Sequence, residues 1–395
     1  MRILISLMYY RPHYSGLTIY TERLACALAK RSHQVTILTS RFDDTLLPIE
    51  NQNGVTIIRP KVLLRLSKGV VMPTLPIWAW RLIRKADVVN AHVPQPDAAV
   101  IALISRLMGK PIVITYHCDL SLPKGLIHFL ANQYSHLANR ISVALANVLV
   151  TNTEDYARHS PFLRRHLSKV HAIPPPIILD QVTEAEKQAF KEKFDVRPNE
   201  RIIGMAARFA SEKGVEYLVD ALPKVLEKVP TARVLFAGQS EGVLGEEEYA
   251  QRLAPKIANL GRHWTFLGIL PPKEWASFFQ SAEVTVLPSI NSTESFGMVQ
   301  VESMSCGTPV VATDLPGVRQ PVMTTGMGKI VPPRNANAIA EALIEILSNP
   351  NGYGGDREKI LKTYSPDVVA AHYERLFEQL LSKDRSGSHD QLSAE

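Results

Sequence analysis

Several common features are missing from this sequence, and each absence excludes a class of protein. It holds only three cysteines in 395 residues, Cys26, Cys118 and Cys306. That odd number, without metal-ligand spacing, indicates reduced thiols in a cytoplasmic protein and no disulfide framework. No run of about 18 uncharged apolar residues occurs, so no segment is expected to span a bilayer. The opening residues Met1 to Tyr10 pair one basic residue with a short apolar run but lack a small-residue cleavage site. They read as a first strand and not as a leader. Neither a G-x-G-x-x-G stretch nor a Walker loop is present, which argues against dinucleotide or ATP chemistry. Acidic residues are scarce in one half only: residues 1–183 carry 21 Lys+Arg against 10 Asp+Glu, a net +11, whereas residues 184–395 carry 23 against 28, a net −5. An anionic partner surface should therefore meet the front half.

What is present is a soluble globular composition, 46% hydrophobic and 21% charged, in a chain long enough for two domains. In the front half Arg2–Leu7, Gln34–Thr39, Val55–Arg59, Asp87–Ala91, Pro111–Tyr116 and Val148–Thr151 read as strands. Leu17–Arg31, Pro76–Lys85, Asp97–Met108 and Leu126–Leu145 read as helices. This alternation predicts a parallel sheet covered on both faces. It stops at Ile173-Pro-Pro-Pro-Ile177, which can join neither a helix nor a central strand. It then restarts with Arg201–Ala206, Arg233–Ala237, Trp264–Leu267, Val284–Leu287 and Thr308–Ala312. The expected class is α/β, with two doubly wound, Rossmann-like domains whose sheets present their carboxyl ends across a cleft.

Two stretches carry candidate chemistry. In Ser289 to Ala312, Phe296 to Ser305 reads as a helix. Glu294 stands just before its start and Glu302 within it, eight residues on, about 12 Å along the axis at helical rise. Phe296, Gly297, Met298 and Val299 lie between them at a helix start whose free N–H groups favour an anion. Spacing alone equally fits a helix-end acid and a solvated helix face. In Ala206 to Gly214, Arg208 and Lys213 project from one strand-to-helix loop and suit a diphosphate without a metal. On their own they also fit two exposed basic residues.

Taken together, "GMAARFASEKGVEYLVDALPKV", "VLFAGQ", "TFLGIL", "VTVLPS", "ESFGMVQVESMSCGTPVVATDLPG" and "GKIVPP" resemble family 4 (group 1) of the retaining glycosyltransferases, over nearly the whole chain. The resemblance implies the GT-B fold and a nucleotide-diphospho-sugar donor, UDP- or GDP-linked. It implies that Glu294 meets the transferred hexose, Glu302 the ribose, and Arg208 and Lys213 the diphosphate. In "YYRPHYSGLTIYTERLACALAKRSHQVTILTS" the family's Gly-Gly pair is Ser15-Gly16, with Gly16 near the diphosphate or acceptor; the frequent following Glu is Thr18. "VITYHCDL" places His117 where relatives contact the donor sugar. The implied catalytic set is thus Glu294, Arg208, Lys213 and His117.

No Asp-x-Asp occurs, so neither a metal nor any other cofactor is expected, and nothing points to nucleic acid. The implied domains are 1–180 on the acceptor side, 181–365 for the nucleotide sugar, a helix over 366–382 packing back on the first domain, and a disordered tail over 383–395. A basic, Trp-bearing surface, with Trp78, Trp80, Arg81, Arg84 and Lys85 at its centre and Lys68, Lys124, His136 and Arg140 beyond, suits an anionic membrane and a lipid-linked or polysaccharide-precursor acceptor. It also fits an ordinary domain surface. The expected location is cytoplasmic, peripheral at the inner membrane face. The alternatives are a nucleotide-sugar epimerase or hydrolase of the same fold, a sugar-phosphate synthase, and a non-catalytic nucleotide-sugar-binding protein.

Overall fold

The front-half strands align in one sheet in the computed structural model, which describes residues 1–66, 69–119 and 126–392. Lys68 and Lys124 lie outside the described residues. In chain order the elements are β1 (Arg2–Ser6), α1 (Gly16–Lys30), β2 (Gln34–Leu38), β3 (Ile49–Gln52), β4 (Val55–Ile58), β5 (Leu64–Leu66), β6 (Gly69–Val71), α2 (Leu75–Lys85), β7 (Val88–Val93), α3 (Ala98–Leu107), β8 (Ile112–Tyr116), α4 (Leu126–Leu145), β9 (Val148–Thr151), α5 (Glu154–His159) and β10 (Val170–Ala172). The sheet order is β10-β9-β8-β7-β1-β2-β4-β3. Every pairing is parallel except β3 with β4. Strand order reverses between β1 and β7, which marks the carboxyl ends of these two strands as the place for a ligand. The polar edge strand β3 and the β5–β6 hairpin were not expected, because four or fewer residues with little apolar alternation carry no strand signal.

The second unit continues with α6 (Glu184–Lys193), β11 (Arg201–Ala206), α7 (Val215–Lys228), β12 (Ala232–Ala237), α8 (Glu247–Asn259), β13 (Trp264–Gly268), α9 (Pro272–Ser281), β14 (Val284–Leu287), α10 (Met298–Ser305), β15 (Val310–Thr313), α11 (Gln320–Thr325), β16 (Gly328–Val331), α12 (Ala336–Ser348) and α13 (Arg357–Tyr364). Its sheet, β13-β12-β11-β14-β15-β16, is entirely parallel. Alternate residues face opposite sides. Ile203, Met205, Val234 and Phe236 enter a core with α7 and α12, while Ile202, Ala206, Leu235 and Ala237 meet Phe190, Phe278 and Phe279 of α6 and α9. Burial on both faces is what makes these strands read as continuous apolar runs.

Contacts divide the chain into Met1–Pro176 with Tyr364–Glu395, and Ile177–Thr363, so the boundary falls at the end of the proline run. The C-terminal helix α14 (Pro366–Leu392) belongs to the first unit. Val369, Ala370, Tyr373 and Phe377 are buried. Tyr373 Oη lies 2.8 Å from Tyr20 Oη of α1. Arg31 pairs with Glu374 at 2.6 Å and with Asp367 at 2.8 Å. The helix runs to Leu392, past the Lys383 at which the tail was expected to begin; no proline interrupts that stretch and propagation costs little once a packed helix has formed. Residues 393–395 of that tail lie outside the described residues.

Candidate active site

In the second unit the strand order reverses between β11 and β14, and the loops leaving these strands carry the expected residues. The β11–α7 loop ends in one 3-10 turn, Ser211–Lys213, and then Gly214 with φ of 66°. A Cβ at Gly214 would lie 2.1 Å from the Pro288 carbonyl oxygen. Only glycine therefore lets the loop seat against the segment following β14. The seating is completed by the Ile290 N–H, which donates to Glu212 O at 3.1 Å. Lys213 Nζ is thereby brought 2.6 Å from Glu294 Oε2, with both side chains mostly buried. Arg208 pairs elsewhere, with Glu212 Oε1 at 2.9 Å. Both cations are thus already matched by a carboxylate, an arrangement an incoming anion can exchange into.

Helix α10 begins at Met298, two residues later than a continuous helix from Phe296 would. Gly297, at φ 77°, breaks the pattern, and a Cβ there would sit 2.3 Å from Leu287 Cδ2. The separation of Glu294 and Glu302 is accordingly not set by helical rise alone. No acidic residue occupies the first turn of α10, which leaves the N–H groups of Met298 and Val299 for an anion. Phe296 is buried. Glu302 is only 4% exposed, so the solvated-face reading fails; Trp275 Nε1–H of α9 donates to its Oε2 at 3.1 Å. Neither Trp275 nor Glu212 stands out in the sequence, because an aromatic on a helix and an acid in a loop are ordinary there.

In the first unit Gly16 opens α1, exposed, after the N-cap Ser15, whose Oγ accepts from Thr18 N at 3.2 Å. Thr18 is buried and its Oγ1 donates to Tyr9 O at 3.2 Å. Beside this turn, at the carboxyl ends of β1 and β7, lies a cavity of about 190 Å³ lined by Tyr9, His13, Ser15, Leu17, Gln95 and Asn139 among others.

His117 follows β8 and stacks on His92 of β7, with ring centroids 5.1 Å apart. Tyr20 meets the His117 ring edge-on at 4.9 Å. His117 Nε2 lies 2.9 Å from His92 Nδ1. Burial lowers both imidazoles, His117 to about 3 and His92 well below the ordinary value, so both are neutral at neutral pH. His92 was missed in the sequence, where a lone histidine in an apolar strand reads as core.

On α2, Ile77, Trp80, Arg81, Arg84 and Lys85 are exposed and follow helical spacing along one face. Trp78 departs from the expected surface group: it is half-buried and packs on the core, with the Arg81 guanidinium 6.0 Å from its ring centroid. No helix among the described residues is long and apolar enough to cross a membrane.

Residues 186–365 match the family described as Glycosyl transferases group 1, and residues 14–181 match that described as Glycosyltransferase Family 4. The chain is 27% identical over 389 residues to a phosphatidyl-myo-inositol mannosyltransferase of Mycobacterium leprae, covering 96% of each chain. It is 25% identical over 336 residues to a D-inositol 3-phosphate glycosyltransferase of Segniliparus rotundus, covering 80% of this chain and 73% of that one. Among solved structures, Anabaena Alr3699/HepE in complex with UDP superposes with a TM-score of 0.75 at 19% identity, over 96% of this chain and 100% of that one. That likeness establishes the GT-B fold, two Rossmann-like domains. The chain belongs to the group 1, family 4 glycosyltransferases.

Proposed function

We propose that this enzyme moves a hexose from a UDP- or GDP-linked sugar to a lipid-linked or polysaccharide-precursor acceptor, with retention at the anomeric carbon and without a metal. The observation that carries the reading is the Lys213–Glu294 pair, 2.6 Å apart, on the loops at the strand reversal of the second unit. A diphosphate draws Lys213 and Arg208 away from their carboxylates, and Glu294 is released to accept hydrogen bonds from sugar hydroxyls. Glu302 accepts hydrogen bonds from the ribose hydroxyls in this reading. The anomeric C–O bond to the diphosphate breaks as the acceptor oxygen bonds to the same face of that carbon. The leaving phosphate oxygen takes the acceptor's hydroxyl proton. Charge growing on the diphosphate is met by Arg208, Lys213 and the α10 N–H groups, which are already oriented.

A membrane-borne acceptor is supported by the first unit's surface. Ile77 is 55% and Trp80 49% exposed, on the same face of α2 as the exposed Arg81, Arg84 and Lys85. Apolar and basic groups on one helical face suit an anionic leaflet. The mannosyltransferase relative carries a phosphatidyl-inositol acceptor in its name, and the structural neighbour holds UDP, which supports both halves of the reading.

The test is a thermal-shift screen against UDP, GDP, ADP and their sugars, followed by product analysis with and without EDTA. A ligand at 100 times its dissociation constant stabilises by about 2.7 kcal/mol. Sugar appearing on an acceptor with retained configuration, in EDTA, supports the proposal. Free sugar or an epimerised donor as sole product sinks it, and strict need for a divalent cation sinks the metal-free clause.

A further inference from the structure

Behind His117 runs a buried chain of polar groups that the proposed reaction does not use. Tyr20 Oη lies 2.8 Å from Tyr373 Oη, which is 3.1 Å from Thr115 Oγ1. Thr115 donates to Asn90 Oδ1 at 2.8 Å. Asn90 Nδ2 is 3.2 Å from His92 Nε2, and His92 Nδ1 is 2.9 Å from His117 Nε2. Tyr20, Asn90, His92, Thr115 and Tyr373 are all buried. Each link needs one donor and one acceptor, so the chain runs in one of two opposite senses.

Its two ends select the same sense. Tyr373 is the hydrogen-bond partner of Tyr20, which is buried. If Tyr20 accepted, its own O–H would be stranded, at a cost of about 1–3 kcal/mol. Tyr20 therefore donates to Tyr373, Tyr373 to Thr115, Thr115 to Asn90 Oδ1, and Asn90 Nδ2–H to His92 Nε2. Neutral His92 must then carry its proton on Nδ1. At the other end, Thr21 Oγ1 lies 3.1 Å from His92 Nδ1 and already gives its own proton to Leu17 O at 2.9 Å. A lone pair on Nδ1 would face a lone pair on Thr21, whereas an N–H there is welcome.

We infer that His92 is a positioning residue: its Nδ1–H donates to His117 Nε2 and holds His117 as the Nδ1–H tautomer, so that His117 offers a ligand oxygen a hydrogen-bond donor and no proton-accepting nitrogen. His117 is only partly buried, and among the described residues its Nδ1 has no hydrogen-bond partner. The neutrality of both rings, imposed by burial, agrees with this. His117 is thereby excluded as the base that deprotonates an acceptor. That last consequence rests on the proposed reaction; the tautomer does not.

The experiment uses the full chain labelled with 15N-histidine, with long-range 1H–15N spectra at pH 7.5 and His117 assigned by loss of its signals in His117→Gln. Wild type should show a pyrrole-type Nδ1 and a pyridine-type Nε2 for His117. In His92→Phe the signal should move toward the Nε2–H form that free neutral imidazole prefers. His92→Asn, whose amide nitrogen overlays the lost Nδ1, should restore the wild-type pattern. An Nε2–H tautomer in the wild-type spectrum overturns the inference, and that spectrum decides even where a variant fails to fold. An unchanged His117 signal in folded His92→Phe also overturns it, since another group would then fix the tautomer. As a kinetic check, folded His92→Phe should lose kcat more than it gains in KM, and His92→Asn should recover most of it. Failure to transfer sugar with any nucleotide sugar refutes the proposed reaction and leaves the spectra to judge the tautomer.

Discussion

The strand ends of the two units solve opposite electrostatic problems. In the second, Arg208 is half-exposed and Lys213 mostly buried, and each is paired with a carboxylate. In the first, His92 is buried and His117 partly so, both are neutral, and the two rings are hydrogen-bonded to each other. The same layout, parallel strands feeding helices, thus carries an exchangeable charge site in one copy and a fixed neutral donor in the other. Fold therefore says where a ligand goes, and only the side chains at the strand ends say what kind.

The comparison is tested most strongly in the charged half. Arg208→Ala or Lys213→Ala should lower kcat/KM by about 10²–10³, about 3–4 kcal/mol, as for loss of one preoriented electrostatic donor. Circular dichroism should show both variants folded. The Arg208 pair is half-exposed and adds little stability, and removal of Lys213 takes away one surface-loop contact while the parallel sheet and its packed helices remain. Wild-type turnover in either variant removes the diphosphate assignment.

Next in size is the basic face of α2. Each basic residue near an anionic leaflet contributes about 1 kcal/mol, and the effect fades over a Debye length of about 8 Å at physiological salt. Reversing Arg81, Arg84 and Lys85 to Glu should weaken co-sedimentation with anionic vesicles by about 100-fold or more, and leave nucleotide affinity unchanged. Binding of wild type that ignores lipid charge and salt would leave the exposed face as mere solvated surface.

The neutral half is expected to be acid-sensitive. The folded-state value of His117 is depressed to about 3 against about 6.5 unfolded. Stability is therefore full above about 6.5 and falls as pH drops toward 3, by up to about 1.4 kcal/mol per pH unit for each such histidine. His92→Asn should flatten that slope in calorimetric scans from pH 7.5 to 5; an unchanged slope would mean that the histidines do take up protons in the fold.

The smallest effect expected is at Asp97, ahead of α3. Its Oδ2 is buried without a partner and burial raises the carboxyl to about 6. Here the sign is the reverse: a raised carboxyl value makes the charged form a liability above pH 6, relieved as pH falls toward the ordinary 3.8. Asp97 makes no side-chain cap bond to α3, so Asp97→Asn loses none and should raise stability at pH 8 by on the order of 1 kcal/mol. The gain should fade near pH 5. A destabilised variant at pH 8 would show that the carboxylate is wanted where it is.

Much of this architecture can be read from the residues alone. Long β-branched runs such as those of β7, β8 and β12, buried on both faces, announce themselves. The polar β3, the three-residue β5 and β6, and the glycine-led β16 do not, because their pairing comes from neighbours and not from their own pattern. Arg208, Lys213, Glu294 and Glu302 stood out as motif residues. Their partners did not: Glu212, Trp275 and His92 act by distance in space, which periodicity along the chain does not encode. Gly297 likewise moved the start of α10, since a left-handed residue stops a helix that composition alone would have continued.

The return of α14 to the first unit has a consequence for biosynthesis. Residues 1–176 leave the ribosome first, yet Tyr20, Arg31 and His33 find their partners in Tyr373, Asp367 and Glu374. The nascent first unit must wait, with one flank of α1 uncovered, while some 190 further residues are made; at about 5–20 residues per second that is on the order of ten seconds or more. The second unit, contiguous from Ile177 to Thr363, has no such wait. Order of synthesis and order of completion are therefore inverted, and the half made last is the half that can close first.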